Sequence, residues 1–222
     1  MQKLFLRNGK VSNKDIFGYY DNLAKNIRSP IELRNRAKDS SDYDVAFIRG
    51  FSSKEYSLLD LGSGTGLLVN ALSNDFGSIL AVEKYKEFSN FIISKKNVKI
   101  VNADILQFSS LEKFDVISMF GVIPYFSRDE TEFIYKKIAV ELCKNKDTKV
   151  IIKHQMGLDD DVIINGWSNE LQAKYYSEFR SVDKEIDLLS HVGFKYIEKI
   201  DIYPSEFNRW ENTHFYALVC GF

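Results

Sequence analysis

From residue 56 onward, short apolar runs alternate with longer segments whose apolar positions recur at helical spacing. That alternation predicts parallel strands joined by helices. The expected strands are Tyr56–Leu61, Ser78–Glu83, Val98–Asn102, Asp115–Phe120 and Lys149–His154. Near-continuous Val, Ile and Leu content, as in "KVIIK", suits strands covered on both faces. Helices are expected over Gly66–Leu72, Tyr85–Ser94 and Asp129–Leu142. Ser127 is the expected N-cap of the last, with acids filling its first turn.

The period changes near the end. After the helical stretch "SVDKEIDLLSHVGF" come two extended runs, "KYIEKIDIY" and "HFYALVCGF". Only about ten residues separate them, too few for a helical crossover, so an antiparallel hairpin is expected. Residues 1–50 are charged and helical in tendency, and read as an N-terminal extension lying over the ligand edge of a domain formed by 51–222. The segment 155–180 is longer than an ordinary connection and is expected to form a lid.

Composition narrows the classes. A chain of 222 residues, 45% apolar and with three prolines, suits one compact domain rather than disorder. A net charge of −1 supplies no long-range field for nucleic acid or anionic lipid. DNA and membranes are therefore not expected partners, and RNA is disfavoured. Cys143 and Cys220 show neither metal-ligand spacing nor a disulfide framework, so no metal is expected and a reducing cytoplasm fits. The start "MQKLFLRNGK" lacks the apolar core of a secretory signal, and no apolar run approaches membrane-spanning length. Oligomeric state stays open between monomer and homodimer.

The stretch "LLDLGSGTG" brings in chemistry. Gly62, Gly64 and Gly66 alternate directly behind an apolar run, as where the backbone needs positive φ or close approach to another group. A dinucleotide fold wants G-x-G-x-x-G; G-x-G-x-G preceded by Asp60 is different. An acid there repels pyrophosphate and suits a cationic or amino-bearing ligand, which argues against NAD. Glu83 closes the second strand 83 − 62 = 21 residues after the first glycine, where a carboxylate can accept both hydroxyls of a ribose. Asp104 closes the third, placed for an adenine amino group beside the apolar Ile105. Each acid has a plainer alternative: Glu83 as a solvated strand-end carboxylate, Asp104 as a helix cap.

With "AVE", "NAD", "FDVISMFGVIPYF" and the terminal hairpin, these motifs resemble the class I S-adenosylmethionine-dependent methyltransferases over roughly residues 50–222. The resemblance implies an α/β, Rossmann-like seven-stranded sheet, mostly parallel with a C-terminal antiparallel hairpin strand and helices on both faces. It implies S-adenosylmethionine as cofactor and S-adenosylhomocysteine as product. Gly62 and Gly64 would lie beside the methionine portion, Glu83 on the ribose and Asp104 near the adenine. Asp60, Ser63, Gly66, Lys84, Ile105 and Phe120 complete the expected cofactor set.

The acceptor is less legible. In this family an Asn/Asp-Pro-Pro-Tyr run after the fourth strand implies methylation of base or glutamine nitrogen, and Pro-Cys implies cytosine carbon. "FGVIPYF" is neither, which disfavours amino-group or base methylation of DNA. His154 and His214 are candidate bases at the ligand edge, His154 alternatively a hydrogen-bonded strand-end residue, while His191 reads as structural. Trp167, Tyr175, Tyr176 and Phe179 either wall a pocket or pack on the sheet. Arg180 either grips a phosphate or carboxylate or is an ordinary surface arginine. Tyr125, Arg209 and Trp210 are further candidates, and upstream Tyr19, Tyr20, Arg34 and Arg36 are placed to close the site. The expected reaction is methyl transfer to an O or N atom of a small polar acceptor, possibilities being a sugar, nucleotide-linked sugar or phosphorylated metabolite. RNA methylation and a catalytically silent cofactor-binding module are the alternatives.

Overall fold

The computed structural model describes residues 14–33, 40–168, 173–208 and 210–222. Five parallel strands build its main sheet: β1 (Ser57–Leu61), β2 (Ser78–Val82), β3 (Val98–Val101), β4 (Val116–Phe120) and β5 (Lys149–Gly157). The hairpin β8 (Tyr196–Asp201) and β9 (Thr213–Gly221) completes a seven-stranded sheet in the order β3-β2-β1-β4-β5-β9-β8, with β9 antiparallel to both neighbours. The expected fold class holds, with strand ends shifted by a residue or so.

Period-two alternation sends successive side chains of the central strands into two different cores. Leu59, Leu61, Leu80, Val82, Ile117 and Met119 join the core beneath α5 (Arg128–Lys137) and α6 (Val182–His191). Leu58, Ile79, Ala81 and Val116 join the other, beneath α2 (Ser41–Arg49) and α3 (Leu67–Leu72). Helices therefore cover both faces. Ser127 closes a full capping box: its Oγ accepts from Glu130 N at 3.3 Å, and Glu130 Oε2 accepts from Ser127 N at 2.8 Å. The helix then loosens into a π turn over Ile138–Leu142.

Three expectations change. The helix expected over Tyr85–Ser94 is a single turn, α4 (Lys86–Ser89). Asn70 explains the early stop: its amide donates to Phe91 O at 3.0 Å and accepts from Ile93 N at 2.9 Å, capturing the chain beyond the turn. Strand β5 continues to Gly157 because β9 pairs with it as far as Gly157↔Thr213. The rest of the 155–180 segment is a two-stranded antiparallel hairpin, β6 (Val162–Ser168) and β7 (Ala173–Phe179), separate from the main sheet. Helix α1 (Lys14–Asn26) packs against β7 and α4, so the extension and the hairpin meet over the carboxyl ends of the parallel strands. No helix among the described residues is long and apolar enough to cross a membrane.

Candidate active site

The loop after β1 is set by its glycines. Gly62, Gly64 and Gly66 all take positive φ, at 79°, 54° and 74°, a region costly for residues with a Cβ. A Cβ on Gly66 would stand 2.4 Å from Ile92 Cγ1, and one on Gly64 2.4 Å from Leu33 Cδ2. Neighbouring chain thus lies hard against the loop, fixing it. Gly62 N and Ser63 N both donate to Val82 O, at 2.8 and 3.0 Å. Leu33 belongs to a 3-10 turn, Pro30–Leu33, anchored where Thr65 Oγ1 donates to Pro30 O at 2.7 Å.

The three strand-end acids line one cavity of about 320 Å³ with Gly62, Ser63 and Gly64. Asp60 is buried and accepts from Ser118 Oγ at 2.7 Å. Glu83 is buried; its Oε2 accepts from Gly64 N at 2.8 Å and its Oε1 from Tyr85 N at 2.9 Å. A carboxylate offers about four lone-pair directions, so each oxygen keeps one for a diol. Burial raises the Glu83 pKa, against backbone donors at Tyr85, Gly64 and Lys84. Asp104 lines the cavity and holds the turn after β3, where no helix forms: Oδ1 accepts from Leu106 N at 3.0 Å, and Oδ2 faces Lys84 Nζ at 3.5 Å. Lys84 Nζ lies 4.6 Å from the centre of the Phe17 ring. Ile105 and Phe120 supply apolar wall. A ribose diol, a flat base and an ammonium group each meet fitting chemistry here.

The other end of the cavity is aromatic. Tyr20 of α1 donates to the Tyr125 hydroxyl at 2.9 Å, and burial raises the Tyr20 pKa. Alternation along β7 turns Tyr175, Ser177 and Phe179 to the cavity. Tyr176 points away and donates to Glu178 Oε2 at 3.1 Å, while Trp167 is 62% exposed. Trp210 lines the cavity; Tyr19 instead backs Tyr20, with ring centroids 5.2 Å apart. Arg34, Arg36 and Arg209 lie outside the described residues.

Residues 21–158 match the ribosomal RNA adenine dimethylase family. The chain belongs to that family. It is therefore a class I S-adenosylmethionine-dependent methyltransferase with S-adenosylmethionine as cofactor. No curated protein matches it. Among solved structures, the DhpI–SAM–HEP complex is 14% identical, with 96% of this chain and 99% of that one covered at a TM-score of 0.68. The glycopeptide N-methyltransferase MtfA with bound SAM is 11% identical, with coverage of 84% and 95% and a TM-score of 0.63. An S-adenosylmethionine-dependent methyltransferase from Clostridium acetobutylicum is 15% identical, with coverage of 93% and 98% and a TM-score of 0.59. At such identity the likeness is one of fold.

Two expectations about this methyltransferase need correcting. Arg180 is not available to a substrate anion. It is 2% exposed, and donates through Nε to Glu185 Oε1 at 2.6 Å, through Nη2 to Thr131 Oγ1 at 3.0 Å and through Nη1 to Phe126 O at 3.3 Å. His214 does not line the cavity; its neighbour on β9, Phe215, does. The His214 ring sits 2.7 Å from Asn208 Nδ2 and 2.8 Å from Asp201 Oδ1. His154 does line the cavity. His191 is exposed at the end of α6, 3.7 Å from Glu132.

Sequence reasoning missed a buried polar cluster in the wall of the methyltransferase cavity. Lys153 Nζ lies 3.1 Å from Asp44 of α2 and 2.6 Å from the Tyr203 hydroxyl. Tyr203 donates to Asp44 and reaches Ser40 Oγ at 2.9 Å. The ammonium stands 4.9 Å from the ring centres of both Phe120 and Tyr203. One signal was available: a lysine inside the buried run "KVIIKHQ" requires a partner.

Proposed function

We propose that this methyltransferase delivers its methyl group to an oxygen or nitrogen of a small polar acceptor enclosed in the cavity. One observation carries the proposal: the acceptor end is closed over by α1 and the β6–β7 hairpin and walled by aromatic rings with a few fixed polar groups. Pockets of that kind fit small ligands. Gln155, Ser177 and Tyr125 offer hydrogen bonds. Asp60, Gly62, Gly64, Glu83 and Asp104 would hold the cofactor, which would supply an electrophilic methyl and a neutral leaving group; the chain's part is to align the acceptor and remove its proton. A net charge of −1 and the sequence "FGVIPYF" after β4 support a small acceptor over a nucleic-acid base.

The family description favours a second reading, an RNA adenine turned out of its stack into the same cavity beside Tyr125. Radiolabelled S-adenosylmethionine, offered with a small-molecule extract of the parent cell or with its ribosomal RNA, separates the two. Label in acid-soluble product supports the small acceptor; label confined to acid-insoluble RNA rejects it. Calorimetry with S-adenosylhomocysteine tests the cofactor assignment independently.

A further inference from the structure

His154 is 1% exposed and lines the cavity, yet neither ring nitrogen has a hydrogen-bond partner among the described residues. Buried polar atoms are nearly always bonded, so two orphan nitrogens on one ring demand a reason. Behind the ring, Nε2 faces Glu185 Oε1 at 3.6 Å, just beyond hydrogen-bond length. Glu185 is fully buried and cannot swing: Oε1 accepts from Arg180 Nε at 2.6 Å, and Oε2 accepts from the Tyr135 hydroxyl at 2.7 Å. With Nε2 on the Glu185 side, Nδ1 is the nitrogen that no described group approaches within hydrogen-bond or ion-pair distance.

We propose that His154 is the general base for the acceptor and Glu185 the positioning residue that keeps the ring's proton on Nε2. This deepens the small-acceptor reading and rests on it. As the acceptor's O or N atom bonds to the methyl carbon, the methyl–sulfur bond breaks with its electron pair staying on sulfur. The acceptor's O–H or N–H bond breaks in the same event, and its proton passes to His154 Nδ1. The resulting imidazolium faces the Glu185 anion, and its proton leaves to water once product departs. Tight geometry at a base often forms only when substrate binds.

The charged and titratable groups around the ring are Glu185 and Arg180 behind it, Lys153 beside it on β5, Tyr135 from α5 and Tyr216 opposite on β9. Burial lowers the His154 pKa below its ordinary 6.5, with Glu185 opposing, so the ring is neutral and receptive at neutral pH.

The chain has three histidines, so imidazole NMR of the full protein with S-adenosylhomocysteine is readily assigned by loss of one signal in His154→Gln. The expected result is a His154 resonance titrating below pH 6.5 in the Nε2–H tautomer; an Nδ1–H tautomer overturns the proposal. Glu185→Gln should move that titration further down, because a negative charge is lost; an unmoved titration overturns the role of Glu185. Where Glu185→Gln does not fold, the wild-type tautomer decides. His154→Gln should lower kcat on the labelled acceptor pool by about 100-fold or more with S-adenosylhomocysteine affinity within about twofold, and wild-type turnover in that variant overturns the proposal. If no pool accepts label, the small-acceptor reading fails while the tautomer still reports on the dyad.

Discussion

Replacing Lys153 by Met isolates what the buried polar cluster contributes to the fold. The substitution keeps an unbranched side chain of similar length and deletes the ammonium, with its charge and its hydrogen bonds to Asp44 and Tyr203. Lys153 is 3% exposed and Asp44 0%, so the change strands a carboxylate with no water to receive it. Removing one partner of a buried ion pair costs about 3–5 kcal/mol. A chain of this length loses about 2–4 °C per kcal/mol, which places the fall in melting temperature at roughly 6–20 °C. Urea unfolding followed by circular dichroism gives the free energy, and a thermal scan the temperature. The double variant K153M/D44L removes both charges and should recover most of the loss, since such pairs are near neutral when exchanged whole for apolar groups. A K153M protein within about 1 kcal/mol of the parent, or a double variant whose cost is the sum of the singles, would refute the reasoning.

Three other outcomes follow from the same geometry. Glu83→Ala should weaken S-adenosylhomocysteine binding more than tenfold, about 1.4 kcal/mol, because the carboxylate proposed to accept the ribose hydroxyls is lost; unchanged affinity by calorimetry removes that assignment. Gly66→Ala should destabilise the fold by about 2–3 kcal/mol, combining positive-φ strain with the 2.4 Å approach to Ile92; a loss under about 0.5 kcal/mol in urea contradicts the loop geometry. Stability should also fall as pH drops below 6.5, because the unfolded chain takes up a proton that burial denies to folded His154, until the pH passes the lowered folded value. Glu185, for which burial is outweighed by His154, Arg180 and Tyr135, adds stability that is full above pH 4.5 and is lost as pH falls through its depressed folded value. His154→Gln should flatten the first of these slopes, and a slope unchanged in that variant would sink the account.

The glycine-and-acid half of the cavity was legible because its pattern is local. One glycine loop and the acids at the ends of β2 and β3 stand within a few residues of the apolar runs that announce the strands, so reading the strands brings these residues to one edge of the sheet. The other half was legible only as separate candidates, Tyr20, Tyr125, His154, Tyr175, Phe179 and Trp210, because its walls come from α1, the β4 loop, β5, β7 and the turn before β9. No single stretch betrays that convergence. Tyr175, Ser177 and Phe179 alternate at period two, yet the segment around them read as an irregular lid because no partner strand was assigned to it. Arg180 looked available because its true partner, Glu185, is brought back to it by the first turn of α6 (185 − 180 = 5 positions) rather than by sequence adjacency. Lys153 and His154 differ in kind. A charged or ionisable side chain in the middle of a doubly covered strand costs too much to be incidental, so each had to be answered by a group from elsewhere in the chain. Lys153 is answered by Asp44 and Tyr203 and serves the fold as well as the cavity wall. His154 is answered only at 3.6 Å by Glu185, and the bond it lacks is the one an acceptor would make.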